Sequence, residues 1–168
     1  GAEVFIVARS HDQVEQLLDQ WRSSNLVVHG LAADVSRDKD RSRIMDQVDQ
    51  CWPNFDVLVN NAGIGSASDP RPFVEYRDEF WDLTMEINLN APYILSKSAL
   101  PHMLEQQWGR IVTIASVNSR LAGYHGSAYT ASKHGVLGLM RAIATEVSSQ
   151  GVTVNCICPG PVRTRMND

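Results

Sequence analysis

The chain has 168 residues, 43% hydrophobic and 20% charged, with a formal net charge of -4 at pH 7. This is the composition of a globular chain of single-domain size, and it excludes a disordered chain, a collagen-like one and a disulfide scaffold. The acidic balance offers no basic surface for nucleic acid or anionic lipid, although a local basic pocket for one phosphate is compatible with it.

No apolar run approaches the roughly 18 residues of a membrane span, and Gly1–Arg9 lacks the length and charge pattern of a signal peptide. Cys51, Cys156 and Cys158 form an odd set without paired spacing, so a reducing, cytoplasmic setting is the simplest reading. The five histidines show no metal-ligand spacing, and no metal is expected.

In chain order, Val4-Phe5-Ile6-Val7-Ala8 is β-branched and aromatic enough to predict a buried strand. Ser10 and Gln13 have capping-box spacing, and Val14, Leu17, Leu18 and Trp21 recur with helical period, which predicts a helix over 11–24. Leu26–Gly30 reads as a second strand, and Ser36 as the cap of a helix carrying Ile44, Met45 and Val48 that stops near Pro53. Asp56–Asn60 reads as a third strand, followed by a loop over 64–73. Residues 75–107 read as one long helical stretch that Pro92 and Pro101 must break or kink. Arg110–Ala115 reads as a strand, 116–128 as a loop, 129–149 as a helix and Val152–Cys158 as a fifth strand on which Cys156 and Cys158 are core residues sharing one face.

Strands alternating with helices, without a hairpin signal, predict a single α/β domain over 1–168, a parallel sheet with helices on both faces. Ligands bind such sheets beyond the carboxyl ends of the strands. The residues to weigh are therefore Arg9 and Ser10, Asp34 and Val35, Asn60–Gly63, Ser116, and 159–164.

Tyr129 and Lys133 lie four apart near a helix start and so share a face. A phenol titrates near ~10 in water, and a neighbouring ammonium favours its ionised form. Ser116, at a strand end, offers a hydroxyl for a substrate oxygen or caps a turn. Taken together with Asn60-Asn61-Ala62-Gly63, Ile87-Asn88-Leu89-Asn90, Tyr129-Thr130-Ala131-Ser132-Lys133 and Pro159-Gly160-Pro161-Val162-Arg163-Thr164, these residues make the chain resemble the short-chain dehydrogenase/reductase family. Within that family the likeness is to bacterial-type ketoacyl and polyketide ketoreductases.

The resemblance implies a Rossmann-like doubly wound sheet and an NADP(H)-dependent oxidoreductase that interconverts a small-molecule ketone and a secondary alcohol. It implies a catalytic tetrad of Asn88, Ser116, Tyr129 and Lys133, with Tyr129 as general acid or base. Cofactor contacts would come from Asp34, Val35, Asn60, Asn61, Ala62, Gly63, Tyr129, Lys133, Pro159, Gly160, Val162 and Thr164. Substrate contacts would come from Ser116, Asn118, His125 and Tyr129, with residues 117–125 as a pocket wall. NAD-preferring members of the family carry an acidic residue at the end of the strand that opens here. This chain has Ala8-Arg9-Ser10 instead, so Arg9 and Ser10 are expected to hold a 2′-phosphate, favouring NADP(H) over NAD(H).

The family's glycine-rich turn and the strand before it precede the segment that opens this sequence, and a last strand and substrate lid follow the segment that closes it. The expectation is an internal portion of a longer chain, with first and last strands missing from this sequence. A homodimer or homotetramer would form through helices 75–107 and 129–149, with Trp81, Leu95, Met103, Trp108, Leu139 and Met140 as candidate contacts. The competing readings are a non-catalytic scaffold or binding module, and a serine hydrolase, for which the G-x-S-x-G elbow is missing.

Overall fold

The computed structural model describes residues 1–162, which divide into two compact units, one over Gly1–Asn54 and one from Phe55 onward. Among the described residues no helix is long and apolar enough to cross a membrane.

In the first unit β1 (Val4–Ala8) pairs in parallel with β2 (Val28–Ala32), Ile6 opposite Gly30. Helix α1 (His11–Ser23) buries Val14 and Leu18 against Val28 and Ile6 on one face of this ladder. On the other face Trp52, which follows α2 (Asp38–Cys51), sets its ring edge-on against Phe5 and His29. The cap of α1 is the expected Ser10, which accepts a hydrogen bond from the Gln13 amide at 3.4 Å. Two expectations shift. β2 begins at Val28 rather than Leu26, because Asn25 turns the chain with φ 59° and leaves Leu26 and Val27 half exposed. Ser36 does not cap α2: Arg37 holds that position, and Ser36 turns back to donate its hydroxyl to Asp34 at 2.7 Å.

In the second unit β3 (Val57–Asn60), β4 (Gly109–Ile114) and β5 (Val152–Ile157) form a parallel sheet in the order β3-β4-β5. Leu58, Ile111, Ala115, Val152 and Val154 project toward one core. Into it α4 (Ala91–Glu105) inserts Ala99 and Met103, and α5 (Ser127–Val147) inserts Val136 and Met140. Met103 and Met140 are thus fully buried in the chain's own core, which removes both from the candidate subunit contacts. Cys156 and Cys158 pack on the rim of this core, each half-buried, and Cys158 lies just past the end of β5. Gly151, which links α5 to β5, sits at φ 77° with its Cα turned toward the Gln107 carbonyl. A side chain there is excluded by both conformation and space.

The stretch expected as one kinked helix over 75–107 is three elements: α3 (Asp78–Met85), a π-helical turn over Glu86–Asn90, and α4. Pro92 heads α4, and as a proline it has no N–H to give the carbonyl four residues back, at Asn88. The loop over 64–73 contains a short 3-10 turn at Ser66–Ser68 and runs into a second at Phe73–Glu75. Helix α5 starts two residues before Tyr129, at Ser127.

Candidate functional site

Asn88 sits inside the π turn and is buried, so its amide must find partners within the fold. It does. Oδ1 accepts from the Ile64 amide at 2.9 Å, while Nδ2 donates to the Ile64 carbonyl at 3.0 Å and to Ser132 Oγ at 3.1 Å. One side chain thereby ties the segment beyond β3 to the second turn of α5. Ser132 passes the connection on, donating to the Tyr129 carbonyl at 2.8 Å.

Lys133 follows Ser132 and is buried, with Nζ donating to the Ile114 carbonyl at the end of β4 at 2.8 Å. The ammonium lies 5.7 Å from the centroid of the Tyr129 ring, within cation–π range. Burial pulls the Lys133 pKa from its ordinary 10.5 to about 8, an effect that the nearby thiols of Cys156 and Cys158 only partly oppose. Gly63 approaches from the other side. A Cβ there would come 3.3 Å from Asn88 Oδ1 and 3.7 Å from Lys133 Nζ, filling the space beside the ammonium.

Ser116, the residue after the buried Ala115, performs the turn-capping role weighed from sequence: Oγ accepts from the Asn118 amide at 3.1 Å over the 3-10 turn Val117–Ser119. Capping uses a lone pair and leaves the hydroxyl proton for a substrate oxygen. Ser116 and Tyr129 both line a cleft of about 450 Å³, whose remaining walls are Gly65–Ala67, Val117, Asn118 and Pro159–Val162. The Val117 amide donates to the Pro159 carbonyl at 2.9 Å, which joins two of those walls.

The eighteen expected positions distribute as follows. Asn88, Ser116, Tyr129 and Lys133 come together, with Gly63 beside them. Asn118, Pro159, Gly160 and Val162 line the cleft. Asn60 is buried and donates through Nδ2 to Ser96 and Thr113 hydroxyls, each at 3.2 Å, so it faces the core beneath α4 while Asn61 and Ala62 are exposed. His125 is absent from the residues lining this cleft. It has a left-handed backbone, φ 53°, and its ring stacks on the exposed Tyr124 at 3.9 Å. The expected wall over 117–125 is shorter than its sequence, since Arg120–Gly123 line a separate cleft with Thr130 and His134. Thr164 lies outside the described residues. Sequence reasoning missed Gly65, Ser66 and Ala67. Their signal was their place just past the carboxyl end of β3, beyond the expected contacts, which end at Gly63.

In the first unit the carboxyl ends of β1 and β2 carry Arg9, Ser10, Asp34 and Val35. Burial raises the pKa of Asp34, but hydrogen bonds from the Ser36 amide and hydroxyl, and then the charges of Arg37 and Arg9, bring it below the usual value. Arg9 therefore lies within electrostatic reach of Asp34. The Val35 carbonyl accepts from Arg41 Nη1 at 2.6 Å, which fixes the backbone there.

In the second unit the side-chain-free surface at Gly63 beside an ammonium suits a nicotinamide dinucleotide, and the first unit, taken by itself, carries a guanidinium at the end of β1. The comparisons agree. The profile of the short chain dehydrogenase family matches residues 1–168. The D-beta-hydroxybutyrate dehydrogenase of Rhizobium meliloti is 37% identical over 159 residues, covering 91% of this chain and 58% of that protein. The 3-oxoacyl-[acyl-carrier-protein] reductase of Pseudomonas aeruginosa is 34% identical over 166 residues, covering 99% of this chain and 66% of that protein. The chain thus spans 58% of the length of the first relative. A metagenomic short-chain oxidoreductase solved in complex with NADP superposes with a TM-score of 0.89 at 32% identity, over 97% of this chain and 73% of that one. Fold, motif order and sequence agree along the whole length, and the chain belongs to the short-chain dehydrogenase family.

Proposed function

We propose that the protein is an NADP(H)-dependent oxidoreductase that interconverts a ketone and a secondary alcohol, with Tyr129 as general acid in reduction and general base in oxidation. The observation that carries this reading is the common cleft of Ser116 and Tyr129, with the buried Lys133 ammonium 5.7 Å from the Tyr129 ring. A bound nicotinamide supplies or accepts the hydride at the carbonyl carbon. Ser116 holds the substrate oxygen by a hydrogen bond from its hydroxyl and keeps its own proton, and Tyr129 transfers the one proton that this oxygen gains. Lys133 keeps positive charge beneath the phenol as that proton leaves, while its hydrogen bond to Ile114 and the Asn88–Ser132 link hold α5 in place.

Arg9 and Ser10 take the 2′-phosphate, a pairing supported by the guanidinium at the end of β1, by a helix that starts next to it, and by the NADP bound in the solved relative. The names of the two relatives place a reacting oxygen on the β carbon of an acyl compound, and a 3-oxoacyl or 3-hydroxyacyl compound is the substrate class we assign. A dimer or tetramer through the helical stretches 75–107 and 129–149 would use the remaining candidates Trp81, Leu95, Leu139 and the adjoining Trp108. Sedimentation as a monomer at micromolar concentration would remove that assembly. The odd cysteine count without paired spacing supports a reducing, cytoplasmic setting as part of this reading.

The decisive experiment compares NADPH consumption by the wild-type protein and Tyr129→Phe with β-ketoesters. The phenyl ring still packs, while the transferable proton is gone, so turnover should fall by about 10²–10⁴-fold. Equal rates would overturn the mechanism, and no consumption by either protein would favour a binding module.

A further inference from the structure

We infer that the segment 64–77 is the specificity wall of the cleft, with Ser66 as the residue that sets how large a substituent the substrate carries, and Asp69 as the residue that positions it. The inference deepens the proposed reaction and rests on that reading of the site.

Three observations carry it. Gly65, Ser66 and Ala67 line the same cleft as Ser116, Val117, Asn118 and Tyr129. A ketone whose oxygen meets Ser116 and Tyr129 places its substituents within that cleft. Ser66 is also seated against the start of α5, because a Cβ added to Gly126 would lie 3.4 Å from both Ser66 Cβ and Oγ. Tyr129 is three residues along the same helix, so the wall and the phenol are referenced to one rigid element. The gap between Ser66 and Gly126 holds about one carbon atom, so a side chain larger than that at position 66 enters the cleft that Ser66 lines.

The segment is held at both ends, which separates it from a loose loop. At its start both backbone groups of Ile64 are bound by the buried Asn88 amide, at 2.9 and 3.0 Å. Three residues after Ser66, the Asp69 carboxylate accepts from Arg71 Nε at 2.8 Å and from Arg77 Nε at 2.7 Å. Both arginines are half-exposed whereas the Asp69 side chain is only 12% exposed, so the carboxylate is the hub of the clasp and the arginines its arms. Arg77 is the residue on which α3 begins, and through it the wall is fastened to a helix. Asp69 touches no substrate in this arrangement; it acts through the placement of Ser66 and Ala67.

The test uses ethyl acetoacetate and ethyl benzoylacetate, which share the reacting group and differ in the size of the ketone substituent, with NADPH as cofactor. Ser66→Leu adds bulk at the wall and should shift the kcat/KM ratio toward the smaller ester by at least tenfold. Asp69→Ala frees the wall and should act mainly on the KM for the esters, raising it several-fold, with less effect on kcat or on the KM for NADPH. A merely structural defect would lower kcat and weaken NADPH binding together. If the wild-type protein is active and the Ser66→Leu ratio stays within twofold of its value, the wall assignment is wrong. An Asp69→Ala loss confined to kcat would likewise remove the positioning role. Failure of the wild-type protein to reduce either ester overturns the proposed reaction, and this inference with it.

Discussion

Lys133 should make stability rise with pH on the alkaline side of neutrality. In the unfolded chain its ammonium is solvated and titrates near the ordinary 10.5, whereas burial in the folded protein brings it to about 8. Between those values the folded protein has released a proton that the unfolded chain still holds, so stability increases with pH across the window. Below about 8 both states are protonated, and the buried charge costs its full penalty, which for a difference of 2.5 units is about 3 kcal/mol. Integration from about pH 7 to about pH 9.5 returns about 2 kcal/mol of that penalty, the remainder lying at the ends of the window. Other groups titrate over the same range, so the measurement is a comparison. Urea unfolding of the wild-type protein and Lys133→Met, each at both pH values, isolates the contribution of this one amine. Methionine has a similar length and no charge, and the hydrogen bond to the Ile114 carbonyl that it loses adds an offset common to both pH values. The wild-type protein should gain about 2 kcal/mol more than the variant on alkalinisation. Equal gains would show that Lys133 is solvated in the folded protein, and would remove the buried ammonium from the mechanism.

Asn88→Ala removes three hydrogen bonds and leaves both backbone groups of Ile64 without their partner. The loss should be about 2–3 kcal/mol, read as a lower urea midpoint at unchanged slope; a change under about 0.5 kcal/mol would mean that the π turn holds without its side chain. Replacing Ala8 by Asp and Arg9 by Ile removes the guanidinium and adds a carboxylate. A charge-assisted pair is worth about 1.5–3 kcal/mol, so relative KM values should move tens-fold toward NADH, and an unmoved ratio would show that the 2′-phosphate is held elsewhere.

Local chemistry carried the order of the elements. The run Val4–Ala8 is a strand and Val14, Leu18 and Trp21 face one side of a helix because side-chain period and branching favour those states wherever the chain is placed. The candidate tetrad drew on the same local signals: Ser116 falls at a strand end and Tyr129 and Lys133 in the first turns of a helix, while Asn88 was marked by the family motif alone. What escaped the sequence was decided between segments. Leu26 and Val27 look like strand residues, but the turn at Asn25 sets where pairing with β1 begins. Pro92 marks a break in 75–107, yet a π turn at Asn88 requires the Ile64 backbone and Ser132 to be there to receive its amide. Met103 and Met140 suit an interface as well as a core, and only packing against Ile111 and Val152 distinguishes the two. The wall proposed at Ser66 had no signal beyond its place past β3, for the same reason. Small polar residues in a loop carry no periodic signal, and their role arises from Gly126 and Asn88, which lie far along the chain and close in space. Sequence thus determined which residues are candidates for chemistry, and tertiary hydrogen bonding and close packing decided which of them meet.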